Sequence, residues 1–102
     1  MNQFGLEKTT IEKIHSIFKK DRSIRTVLIY GSRAKGNYKP GSDIDLAIKD
    51  SELTSEQLLR LGSNLDDLNL PYTFDLCIYE ELSNPDFIEH IDRVGIQFYT
   101  RQ

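Results

Sequence analysis

The chain has 102 residues, 38% of them hydrophobic, which supports one domain with one modest core and excludes a second independent core. Its formal net charge of −3 supplies no basic face for a nucleic-acid backbone; this argues against strong DNA or RNA binding and leaves a nucleotide open as a small ligand. One cysteine, Cys77, excludes an intrachain disulfide, and the lack of a leader-like or membrane-length apolar run predicts a cytoplasmic protein with no membrane contact.

Residues 1–8 are polar and are expected to fray. Thr9 and Glu12 have capping-box spacing, and Ile11, Ile14, Ile17 and Phe18 recur at helical spacing, so a helix is predicted over residues 10–20, closed by Lys19 and Lys20. His15, beside that stripe, is expected at the surface or half-buried. Residues 24–30 follow a polar turn, and their apolar run Val27-Leu28-Ile29-Tyr30 suits a central strand buried on both faces. Gly31 stops it. Ser32-Arg33-Ala34-Lys35 reads as a short helix capped by Ser32 and ended by Gly36, followed by a loop over 37–42.

The next strand, residues 43–49, alternates strictly, with Ile44, Leu46 and Ile48 on one face and Asp43, Asp45, Ala47 and Lys49 on the other. Thr54 and Gln57 make a second capping-box pattern, and Leu58, Leu61, Leu65 and Leu68 mark an amphipathic helix to about residue 68, weakened at Gly62. A third strand over about 72–79 sets Phe74, Leu76 and Ile78 against Asp75, Cys77 and Tyr79; Cys77 reads as a small buried thiol rather than a nucleophile. Asn84-Pro85 starts a helix with the stripe Phe87, Ile88, Ile91 and Val94, ended by Gly95, with His90 off the stripe and expected to face solvent. Residues 96–100 form a last short strand. The result is an α/β (α+β) unit with a sheet of about four strands and helices mainly on one face, leaving the acid-bearing face open for a ligand.

Asp43 and Asp45, two apart on a strand, project from the same face. Neighbouring carboxylates repel unless water, backbone N–H groups or a cation relieves them; Mg²⁺ takes one or two carboxylates and completes its shell with waters and phosphates. An Asp-x-Asp pair alone is a weak signal, and three features strengthen it. Asp75 interrupts an apolar strand on the same kind of face, where an unpaired carboxylate is costly. Gly31-Ser32 opens a short helix whose backbone N–H groups and hydroxyl suit an anion. Arg33 and Lys35 add positive charge near that turn. A phosphate cradle beside three acids is what two-metal phosphoryl chemistry requires. Two other motifs fail on the letters: Asn37-Tyr38 stands where a Walker loop needs Lys-Ser/Thr, and Ala47 and Ile48 stand where a calcium loop starting at Asp43 needs an oxygen ligand and a glycine.

Gly31-Ser32, then Asp43-Ile44-Asp45, then Asp75 resembles the signature of the DNA polymerase β-like nucleotidyltransferase superfamily, and Gly31-Ser32-Arg33-Ala34-Lys35-Gly36 resembles its minimal nucleotidyltransferase (MNT) group. The resemblance implies the nucleotidyltransferase fold, with a mixed sheet. It implies that Asp43, Asp45 and Asp75 ligate two Mg²⁺ ions and are catalytic, that Gly31 and Ser32 hold the phosphates of ATP, and that Arg33 and Lys35 lie in the nucleotide-binding region. It further implies AMP transfer to a tyrosine hydroxyl of a HEPN-type helical toxin from a neighbouring gene, the chain acting as antitoxin in a hetero-oligomer or with a second copy of itself. Larger relatives carry an added helical domain for the acceptor, so a partner is expected to supply acceptor binding here. The alternatives are an antitoxin that neutralises by binding alone, and a nucleotidyltransferase for a small molecule such as an aminoglycoside.

Overall fold

The computed structural model describes residues 2–101, and it opens with a hairpin where fraying was expected: β1 (Asn2–Gln3) pairs antiparallel with β2 (Leu6–Glu7). Phe4 and Gly5 between them have φ of 58° and 72°, both in the left-handed region that two-residue hairpin turns use. Leu6 anchors the hairpin by complete burial. Met1, part of the stretch expected to fray, lies outside the described residues. Because the hairpin feeds directly into α1 (Lys8–Lys19), that helix begins earlier than predicted, with Glu7 at its N-cap and no side-chain cap. The Thr9–Glu12 capping box therefore does not form: Thr9 is already inside the helix. Arg101 closes the other end, its guanidinium donating to the carbonyls of Phe18, Lys19 and Asp21.

β3 (Thr26–Tyr30) runs into α2 (Gly31–Lys35), which ends at Gly36 with φ 87° and the Gly36 N–H on the Ser32 carbonyl. Ser32 is within this helix rather than its cap, since Tyr30 takes the N-cap position. After the predicted loop come β4 (Ile44–Lys49) and α3 (Ser55–Asp66). Here the capping box forms as expected, Thr54 Oγ1 accepting from the Gln57 N–H and Gln57 Oε1 from the Thr54 N–H. β5 (Phe74–Ile78), a single 3₁₀ turn and α4 (Pro85–Val94) follow. Asn84 Oδ1 caps α4 by accepting from the N–H groups of Asp86 and Phe87, and β6 (Ile96–Thr100) closes the fold.

The main sheet has the order β5-β4-β3-β6. β3 pairs antiparallel with both β4 and β6, and β4 pairs parallel with β5, so the sheet is mixed. The β4–β5 connection must cross over, and α3 makes that crossing. Ile44, Leu46 and Ile48 of β4 are fully buried in one core with Ile14 and Phe18 of α1 and Leu65 of α3. The other face was expected to stay open, but α4 covers part of it: Ile91 is buried with Tyr30 and Ala47, and Leu28, Cys77 and Phe87 pack around them. The apolar residues that attract α4 are Leu28, Tyr30 and Ala47, which share the acid-bearing side of their strands. No helix among the described residues is long and apolar enough to cross a membrane.

Candidate active site

One row of the sheet carries the chemistry. In the strand register Tyr30 pairs with Asp45, and Asp45 pairs with Asp75. Because lateral partners project from the same face of a sheet, the two carboxylates are neighbours across β4 and β5. Asp43 sits just before β4 and is exposed, as is Asp75, while Asp45 is half-buried. The structure thus joins the distant Asp75 to the Asp43–Asp45 pair beside the end of β3, where Gly31 turns the chain.

Asp45 bears the strain of this arrangement. Burial, then the negative charges of Asp75 and Asp43, push its carboxyl up to about 6, and the positive charge of Arg33 only partly opposes them. The ion pairs among the described residues, Lys8–Glu12, Glu56–Arg60 and Glu89–Arg93, involve none of the three acids. An all-oxygen, uncompensated donor set fits a hard divalent cation. The set is not closed, however: no three His, Cys, Asp or Glu side chains among the described residues converge as a ready-made metal cage.

Gly31 is essential to the geometry. Its φ is 72°, and a Cβ at this position would overlap Asp45 Oδ2, so glycine permits both the turn and the close approach of the carboxylate to the turn backbone. Ser32 stands half-exposed at the second residue of α2. Lys35 is exposed in the last turn of that helix, free of any fixed role in packing.

Arg33 departs from the expectation that it binds nucleotide. It is only 2% exposed; its Nη1 donates to the Phe4 carbonyl at 2.9 Å, and its Nε and Nη2 donate to the Ser42 carbonyl at 3.2 and 2.9 Å. A guanidinium committed in this way to backbone carbonyls ties segments together rather than meeting a phosphate.

Sequence reading missed the aromatic side of the site. Tyr30 lies against Phe87 and His90 of α4, with ring centroids 5.5 and 6.1 Å away, and its hydroxyl is 3.8 Å from Cys77 Sγ. His90 is half-buried rather than solvent-facing; its spacing of three from Phe87 was the available signal. Burial and the nearby thiol and carboxylates raise the Tyr30 hydroxyl far above its ordinary value, and burial raises the Cys77 thiol, so both stay protonated. This agrees with an inert Cys77. His15, half-buried as expected, has its Nε2 2.7 Å from the Phe98 carbonyl. A polar cleft of about 540 Å³ between α1 and α3, lined among others by Ile17, Arg60 and Asn64, holds none of the acids.

The sheet thus places three carboxylates beside a glycine turn. Residues 12–102 match the family described as polymerase beta, nucleotidyltransferase, and the chain belongs to that family of nucleotidyltransferases. No curated protein matches it as a sequence relative. Among solved structures it is similar to a chain of a toxin–antitoxin complex with AMP-PNP (20% identity, 90% of this chain and 74% of the other, TM-score 0.72). It is also similar to a chain of the complex between the tri-AMPylated Shewanella oneidensis HEPN toxin and its MNT antitoxin (16% identity, 94% and 74% covered, TM-score 0.69). A third, the toxin–antitoxin MntA–HepT with two aspartates two positions apart changed to glutamate, matches at 17% identity, 95% and 75% coverage and TM-score 0.67. At these identities the structures establish the fold, and the mixed sheet with flanking helices agrees with it.

Proposed function

We propose that the chain transfers AMP from ATP to a tyrosine hydroxyl of a HEPN-type toxin and thereby acts as an antitoxin in the cytoplasm. The observation that carries this reading is the row Asp45–Asp75 with Asp43 two residues before, set beside the Gly31 turn in a member of the nucleotidyltransferase family. The names of the similar complexes, with AMP-PNP in one and an AMPylated HEPN toxin in another, support the nucleotide and the acceptor.

In this reading Asp43, Asp45 and Asp75 hold two Mg²⁺ ions, Gly31 and Ser32 receive the phosphates, and Lys35 adds positive charge at the mouth of the turn. Bound Mg²⁺ would neutralise the phosphates and favour attack by the acceptor oxygen on the α-phosphorus, with pyrophosphate leaving. The carboxylates' part is to draw in and orient the metal-bound nucleotide, which Asp45 performs in its ionised form. Tyr30 and Phe87 wall one side of the acid patch with apolar surface. The partner supplies the acceptor hydroxyl.

The test is to incubate the chain with a HEPN-type partner, ATP and Mg²⁺ and to measure the partner's mass. The expected outcome is addition of AMP at tyrosine, lost when Asp43→Ala is combined with Asp45→Ala. An unmodified partner that is nevertheless neutralised, equally by wild type and by this double variant, would overturn the catalytic reading in favour of an antitoxin that acts by binding.

A further inference from the structure

Arg33 meets three segments of the chain. Phe4, whose carbonyl takes Nη1, forms the turn of the N-terminal hairpin; Ser42, whose carbonyl takes Nε and Nη2, is the residue before Asp43. The rings of Tyr38, from the same loop, and Tyr72, from the segment before β5, lie 5.4 and 4.8 Å from its Cζ. Such cation–π contacts suit a desolvated guanidinium. Gly5 completes the junction: a Cβ there would overlap the Tyr38 ring, and its φ of 72° disfavours any side chain. The hairpin precedes residues 12–102, over which the chain matches the family.

We propose that Arg33 and the N-terminal hairpin form a clamp that fixes the 37–42 loop by the Ser42 carbonyl, so that Asp43 is in position before a metal-bound nucleotide arrives. Arg33 is a positioning residue and touches neither nucleotide nor metal. The proposal rests on the reading of Asp43 and Asp45 as metal ligands. Without the clamp, the entropy lost in ordering the loop is charged against metal binding.

The experiment compares full-length wild type with Arg33→Gln, Arg33→Lys and Gly5→Ala. Two quantities are read: amide hydrogen exchange over residues 37–43 in the metal-free protein, and Mn²⁺ affinity in the presence of ATP by electron paramagnetic resonance. Arg33→Gln is expected to speed exchange in the loop and to weaken Mn²⁺ binding about tenfold, the scale of lost outer-shell support. Arg33→Lys keeps the charge but not the fork, and is expected to fall between the two. Gly5→Ala leaves Arg33 in place, so it remains informative if the arginine variants fail to fold, and it is expected to shift both quantities in the same direction. Variants that melt earlier but bind Mn²⁺ like wild type while folded would overturn the proposal, as would Arg33→Gln weakening metal-free ATP binding with the loop's exchange unchanged. Wild-type protein that binds no Mn²⁺ would overturn the metal-site reading and the clamp's role with it; unaltered variants of a binding wild type would overturn the clamp alone.

Discussion

The two faces of β4 have opposite purposes. Ile44, Leu46 and Ile48 are all fully buried under α1 and α3, where each removes apolar surface from water and stabilises the fold. One residue along, Asp45 faces Asp75 with its carboxyl pushed up to about 6, which makes it a liability to the metal-free fold. Alternation along a single strand therefore sets an apolar face against one that carries both the strained Asp45 and the buried Ala47. The hydrophobic face must be strong enough to hold the acids together against their repulsion.

That contrast can be broken from either side. On the core face, Leu46→Ala is expected to destabilise by about 2–5 kcal/mol, the range for a fully buried leucine that leaves a cavity, as read by urea unfolding; a loss below about 1 kcal/mol would mean the core face is not what secures the strand. At the junction, Gly31→Ala forces a side chain into a left-handed φ and into Asp45 Oδ2. The expected loss is about 1–3 kcal/mol, with nucleotidyl transfer abolished in the fraction that stays folded; transfer at the wild-type rate would show that the turn and the carboxylate do not need this approach.

On the acid face the expected sign reverses. Asp45→Asn removes transfer yet raises the stability of the metal-free protein at pH 7, by up to about 1 kcal/mol, because solvent screens a half-exposed carboxylate. The sign follows from linkage. A carboxyl raised from its ordinary 3.8 to about 6 on folding contributes stability that is full below pH 3.8 and lost as pH rises through 6. Melting temperatures of the metal-free wild type should therefore carry a component that falls between pH 4 and 6, absent from Asp45→Asn. A variant that melts lower than wild type at pH 7 without metal would contradict the assignment of strain to Asp45.

The letters themselves revealed much of this. The period-two pattern of β4 and β5 marked which residues share a face, and the family that the Gly31-Ser32, Asp43-x-Asp45 and Asp75 pattern resembles is the one that residues 12–102 match. The capping signals at Thr54 and Asn84 were correct, whereas the same pattern at Thr9 was not, because the hairpin delivers the chain to α1 two residues earlier. The hairpin itself was missed: Phe4-Gly5 is not among the strongest turn pairs, and two-residue strands have no visible period. Arg33 was given to the nucleotide because charge next to a glycine turn looks like a ligand, and its carbonyl partners lie 29 and 9 residues away. His90 looked solvent-facing because helical spacing identifies a stripe but not how wide a surface the stripe meets.

The sequence by itself determined which side chains share a face and where the acids and the glycine turn fall, since both follow from the local geometry of strand and turn. Tertiary structure decided three further points. Asp45 stands in register with Asp75 only because β4 and β5 pair in parallel; α4 packs on the acid-bearing face through Tyr30, Ala47 and Ile91; and Arg33 turns inward to the Phe4 and Ser42 carbonyls. Each depends on contacts between residues far apart in the chain, and local periodicity carries no information about which distant segment will satisfy a buried strand edge, an apolar patch or a guanidinium.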